Sequence, residues 1–186
     1  MAAGALGRSR RRRAGNAGEP PDGLPSDPVA VARQICLQQL EHTPRTRAEL
    51  HAVLSDRGVP DDAAESVLGR FAEVGLIDDE LFARMWVTSR HRGRGLARRA
   101  LAHELRRKGV DDETVRSAVE ELPAELELAT ARALVARRLP ATRGLAPDAR
   151  VRRLAGMLAR KGYPAGVAFR VVREAVVAEG VAVEGV

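Results

Sequence analysis

Arg98, Arg99, Arg106, Arg107 and Lys108 fall within the eleven-residue stretch RRALAHELRRK. Positive charge at that density has one chemical use above others, which is to hold a polyanion. The basic band is wider than this stretch. Residues 84–108 carry nine cations, including Arg92 and Arg94, against the single acid Glu104. Residues 137–161 carry eight, among them Arg152, Arg153, Arg160 and Lys161, against Asp148. Between the bands, residues 111–127 are acidic, with Arg116 their only cation. The candidate partner contacts are therefore Arg92, Arg94, Arg98, Arg99, Arg106, Arg107, Lys108, Arg152, Arg153, Arg160 and Lys161. A merely solvated helix face, with terminal cations answering the helix dipole at about 0.3–1 kcal/mol each, accounts for Arg57, Lys108 and Lys161 taken singly. It accounts poorly for cations that continue through HRGRG at 91–95, read as a loop, where no dipole asks for them.

Catalytic chemistry finds no comparable set of residues. His42, His51, His91 and His103 make no ligand spacing with Cys36, and there is no phosphate loop, nucleophile elbow or zinc signature. Asp78 and Asp79 read as helix openers rather than as an acid pair. No catalytic residue, cofactor or metal site is expected, and no enzyme activity. Trp86 is expected on a core-facing stripe and Tyr163 follows a glycine, so no aromatic platform exists for stacking bases. Any nucleic-acid contact would run through phosphates and be tolerant of sequence and sensitive to salt.

Composition limits the scaffold that positions these cations. Hydrophobic residues make up 45% of the 186, yet aromatics only 3%, so the core must come from Leu, Val and Ala, which suit helices. The pI near 10.7 and formal charge of +6 suit an anionic neighbour. One cysteine allows no internal disulfide, and Cys36, beside Ile35 and Leu37, reads as a small buried hydrophobe. No run of 18 apolar residues spans a membrane. The opening MAAGALGRSRRRRAG lacks the apolar stretch of a secretory signal. A cytoplasmic monomer is expected.

Residues 1–28, rich in Gly, Pro, Ala and Arg, read as a disordered basic tail. After them one phrase occurs three times: VLSDRGVPDD at 53–62, HELRRKGVDD at 103–112 and MLARKGYPAG at 157–166. Its glycines, Gly58, Gly109 and Gly162, lie 51 and 53 residues apart, an interval that marks an internal repeat. Each phrase is a helix stop: leucines at i and i+4, a cation in the last turn, and a glycine for the left-handed cap. Asp61–Asp62, Asp111–Asp112 and Pro164 then open the next helix. Projection of residues 95–108 at 100° per residue sets Leu101 and Leu105 opposite Arg99, His103 and Arg106. Upstream, helices are predicted from Val29 to about Glu41, from Asp78 onward with Leu81, Phe82, Met85 and Trp86 on one face, and from Ala124 to about Arg138. The expected fold is all-α: three tandem three-helix, helix-turn-helix-like repeats, at 29–77, 78–122 and 123–186, forming an elongated curved array of about nine helices.

RTRAEL at 45–50, FAEVGLIDDELFARMWVTSR at 71–90, LARRALAHELRRKGVDDETVRSAVEEL at 96–122 and LARKGYPAGVAFRVV at 158–172 resemble the bacterial regulatory protein RecX family, over about residues 29–176. The combination of GLIDDELFA with L-x3-L-x2-K-G carries the likeness; the basic tail and PATRGLAPDA at 140–149 lie outside it. The resemblance implies a modulator of the RecA recombinase that binds the RecA filament on DNA, mainly inhibiting filament growth, ATP hydrolysis and strand exchange, and so regulates recombination and repair within the SOS response. It transfers no catalytic residue. The alternative, from another class, is a helix-turn-helix regulator that binds DNA directly.

Overall fold

The computed structural model of the chain describes residues 27–180. Three helices, α2 (Arg47–Asp56), α5 (Arg98–Arg107) and α8 (Pro147–Arg160), end in the same way. Gly58, Gly109 and Gly162 take φ of 73°, 76° and 90°. That left-handed turn lets the N–H of Val59, Val110 and Tyr163 reach back to the carbonyls of Leu54, Leu105 and Leu158 at 3.1–3.2 Å. The glycine N–H groups reach Ser55, Arg106 and Ala159 at 2.9 Å. Both orphan-carbonyl bonds of the glycine-terminated helix are thus made in every copy. The residue after each glycine is buried, which is the apolar contact that locks this cap.

The chain then turns into α3 (Asp61–Glu73), α6 (Asp112–Glu120) and α9 (Ala165–Ala178). Asp111 is a true N-cap, accepting from the N–H of Glu113 and Thr114 at 3.0 and 2.9 Å. Those bonds, the Thr114 ones foremost, hold its carboxyl below the usual range. Asp61 and Asp62 instead lie inside the first turn behind Pro60, where they act on the dipole alone.

The first helix of each repeat is α1 (Pro28–His42), α4 (Asp79–Arg94) or α7 (Ala124–Arg138). Asp27 caps α1 and Pro28 is its first residue, so these two belong to the fold and not to the tail; residues 1–26 and 181–186 lie outside the described region. Asp78 caps α4 through the Leu81 N–H at 2.7 Å. Two expectations change on this helix. Leu81 and Met85 are 47% and 54% exposed, and the buried face is Phe82, Ala83, Val87 and His91, because α5 and α6 cover α4 from that side. HRGR at 91–94 is the last turn of α4, with Gly95 as its left-handed cap, so Arg92 and Arg94 do answer a dipole.

Among the described residues there are nine α-helices, one 3-10 turn (Leu139–Thr142) and no strand. Their apolar faces build three cores. Leu50, Leu54, Val67, Leu68 and Phe71 belong to the first, which also holds Cys36; burial pushes that thiol's pKa up. Leu101, Leu105, Val115 and Phe82 belong to the second, and Leu154, Leu158, Val171 and Val172 to the third. The first two cores are drawn from their own repeats, whereas the third also takes in Ala97, the residue that precedes α5 in the second repeat.

The repeats meet through their glycine turns. In the first joint the Thr46 hydroxyl donates to the Lys108 carbonyl at 2.6 Å, and the Lys108 ammonium meets Glu49 at 2.6 Å. In the second joint the Ala97 N–H donates to the Lys161 carbonyl at 2.9 Å, and the Lys161 ammonium reaches the Arg94 carbonyl at 2.5 Å. The same rule operates twice: the turn that ends the second helix of one repeat sits on the start of the second helix of the repeat before it. A third use is closed off. Arg150, 53 residues after Ala97, lies within α8, which has 14 residues where α2 and α5 have 10. Its guanidinium is buried against Thr142 and Glu179.

Candidate polyanion-binding surface

The second joint leaves an open groove of about 830 Å³ between the end of α4 and the α7–α8 pair. Arg92 and Arg94 enter it from α4, Arg137 and Arg138 from α7, and Arg153, Arg160 and Lys161 from α8 and its cap. No carboxylate lines it. Local sequence explains some of this, since the ends of α4, α7 and α8 all converge here, and cations are favoured in a last turn. Magnitudes show what is left over. Each helix end presents roughly −0.5 elementary charge, so three ends offset only a minor fraction of seven cations. The groove is strongly positive.

Its frame is fixed by the joint. His91, 3% exposed, places Nδ1 2.8 Å from the Leu96 carbonyl and Nε2 2.9 Å from the Thr130 hydroxyl. A ring with one proton on Nδ1 satisfies both, donating to the carbonyl and accepting from the hydroxyl. The Arg98 N–H donates to Glu127 at 2.9 Å, and the Arg98 side chain donates to the Leu122 carbonyl. The bonds to Thr130 and Glu127 tie α4 and the start of α5 to α7, and those to Leu96 and Leu122 brace the second repeat itself.

Five of the eleven predicted contacts are therefore gathered in one place: Arg92, Arg94, Arg153, Arg160 and Lys161. Arg94 is also 3.5 Å from Glu104. Arg99, Arg106 and Arg107 are exposed on the outer face of α5, and Arg152 is exposed on α8. Arg106 is paired with Asp112 at 2.6 Å, whereas Arg99, Arg107 and Arg152 have no ion pair among the described residues. Arg98 and Lys108 serve the joints, and Lys108 also lies 4.5 Å over the Trp86 ring. The sequence reading missed Arg137 and Arg138. Each looks like an ordinary terminal cation, and only the convergence of three helix ends makes them members of a site.

Among the described residues no group of His, Cys, Asp or Glu could hold a metal ion, and no helix is long and apolar enough to cross a membrane.

Comparison with known proteins gives one result throughout. Residues 32–71, 78–119 and 125–172 match the first, second and third three-helix domains of RecX. The chain is 59% identical over 167 residues to the regulatory protein RecX of Thermobifida fusca, covering 89% of this chain and 90% of that one. It is 61% identical over 163 residues to the regulatory protein RecX of Streptomyces coelicolor, covering 88% and 85%. Among solved structures it superimposes on RecX from Lactobacillus salivarius with a TM-score of 0.75 at 17% identity, over 80% of this chain and 97% of that one.

Proposed function

The chain belongs to the RecX family of regulatory proteins, and from that premise we propose that it binds the RecA filament on DNA and restrains it, lowering ATP hydrolysis, filament growth and strand exchange. The observation that carries this reading is the groove at the second joint, where seven cations converge, no carboxylate lines the space, and among the described residues only Arg94 has a carboxylate partner, Glu104, outside it. A nucleoprotein fibre offers both acidic protein surface and phosphate, and steering by such a field speeds encounter. The outer face of α5, with Arg99 and Arg107, supplies a second positive surface suited to phosphate contact.

Two features favour a single chain acting by itself on a fibre. The joint is a heterologous contact that would otherwise propagate from copy to copy, and α8 closes its open end by running one turn further. Direct helix-turn-helix reading of bases is disfavoured by charge. Two of the three helices that follow a glycine turn open with acids, α3 with Asp61 and Asp62 and α6 with its cap Asp111 and then Asp112 and Glu113, while α9 has none in its first turn; those acids would face phosphates at the mouth of a DNA groove.

The test is RecA ATPase activity on single-stranded DNA with this protein titrated in. Inhibition at substoichiometric or equimolar protein is expected. A flat titration, together with tight sequence-specific binding to naked duplex, would favour the direct DNA-binding reading instead.

A further inference from the structure

The groove has a floor as well as a charged rim. Leu126 in α7 is 47% exposed and lines it, as do the half-buried Leu134 and Met157. Along α8 the residues that line the groove run Arg153, Met157, Arg160, at i, i+4 and i+7, so a cation, a thioether and a cation follow one another on a single helical face. No Phe, Tyr or Trp lines the groove.

These two properties separate the possible ligands. A nucleic-acid strand uses cations for its backbone and aromatic faces for its bases; it would find the first here and not the second, and it would leave the aliphatic floor idle. An acidic peptide with aliphatic side chains uses both. Its carboxylates take charge-assisted bonds from guanidinium groups, which grip them in a planar fork. Its leucines or valines settle on Leu126, Leu134 and Met157, a thioether adapting readily to different shapes. The volume of about 830 Å³ is that of a ligand pocket rather than a flat patch.

We propose that the groove between α4, α7 and α8 is a docking site for an acidic peptide segment carrying aliphatic anchors. This rests on the reading that the groove is a partner surface, and it does not depend on which protein supplies the segment.

The probe is a fluorescein-labelled peptide of three Glu-Glu-Leu-Leu units, compared by anisotropy at near-physiological salt with a peptide of three Glu-Glu-Ser-Ser units and with oligothymidylate, all on the full chain. The leucine peptide is expected to bind at least tenfold more tightly than the serine peptide. The R153E/R160E variant should lose at least tenfold of that affinity, and Met157→Glu should lose the preference for leucine over serine. Both variants change side chains that are not fully buried, and circular dichroism confirms that they fold. Equal binding of the two peptides would reduce the groove to an ion exchanger and overturn the proposal. So would unchanged peptide binding by R153E/R160E, or displacement of the peptide by oligothymidylate that binds the same groove more tightly. Recombinase inhibition is a separate readout. If R153E/R160E loses the peptide yet inhibits the ATPase as the unmodified chain does, the docking site stands and the groove's role in filament binding falls.

Discussion

Tyr163 donates its phenolic hydrogen to the Gly95 carbonyl at 3.2 Å, across the joint between the second and third repeats. The side chain is 3% exposed. Burial first, and the Glu127 carboxylate second, push its pKa from 10.0 up to about 12, since both disfavour the phenolate. The unfolded chain loses this proton near pH 10 and the folded chain near pH 12, so the tyrosine's contribution to stability is complete below pH 10 and is lost as pH rises towards 12. It is the only tyrosine in the chain, so tyrosinate absorbance reports it alone. A midpoint close to 12 is expected, or an earlier rise that coincides with loss of helicity; a midpoint near 10 in the folded protein would contradict the burial argument. Tyr163→Phe should cost about 1 kcal/mol at neutral pH and remove this component of the alkaline loss.

The three cap glycines should not respond alike. At Gly58 a methyl group would meet nothing within 4 Å, so Gly58→Ala costs only left-handed strain, about 1–2 kcal/mol. At Gly109 the same methyl would overlap the Ala48 side chain, and at Gly162 it would stand 2.5 Å from the Ala100 nitrogen. Gly109→Ala must push the first and second repeats apart as well as strain the turn, and Gly109→Val more so. Thermal unfolding should rank Gly109→Val below Gly109→Ala, and both below Gly58→Ala. Equal losses at Gly58 and Gly109 would remove the joint from the explanation.

Separate cores predict separable unfolding. Leu54, Leu105 and Leu158 are each fully buried, one per core, and truncating any of them to Ala should cost about 2–5 kcal/mol. That loss should fall on its own repeat. Calorimetry of Leu54→Ala is expected to show a low-temperature transition for α1–α3, with the later repeats melting as before. A single transition shifted as a whole would mean that the joints couple the repeats more strongly than their contacts suggest.

The first joint can be watched directly. Lys108 holds Glu49 at 2.6 Å and sits 4.5 Å over the ring of Trp86, the only tryptophan. Glu49→Gln should weaken the joint by about 1 kcal/mol, as expected for a partly exposed pair, and shift Trp86 emission. Added salt should produce the same shift in the unmodified chain and little further change in the variant.

Local signals are legible in the sequence because local physics decides them. The glycine turns, the Asp78 cap and the leucine faces need only one helix and its end. The Thr46–Glu49 capping box is equally local, carried by the stretch TRAE. What could not be read depends on neighbours. Leu81 and Met85 share a helix side with Phe82 in projection, but the face that α5 and α6 cover is turned towards Ala83 and Val87. Arg98 looks like one more surface cation until Leu122 and Glu127 are placed beside it. The groove exists only once three chain-distant helix ends are brought together.

Charge reversal at two surfaces should therefore give two different results. Arg99, Arg106 and Arg107 stand on the outside of α5 with no groove around them, so their attraction is screened over about 10 Å at 0.1 M salt. Their triple reversal should weaken filament inhibition at low salt and matter less as salt rises, although it leaves Asp112 without its partner Arg106. Arg137, Arg153 and Arg160 surround a concave, partly apolar site, where a bound segment excludes water and screening is weaker. Their triple reversal should reduce inhibition at least tenfold at both low and moderate salt. All six side chains are exposed, so circular dichroism should find helicity unchanged in both variants. If the α5 variant inhibits at low salt as the unmodified chain does, that helix face is no more than a solvated surface; if the groove variant does so, the filament is held elsewhere.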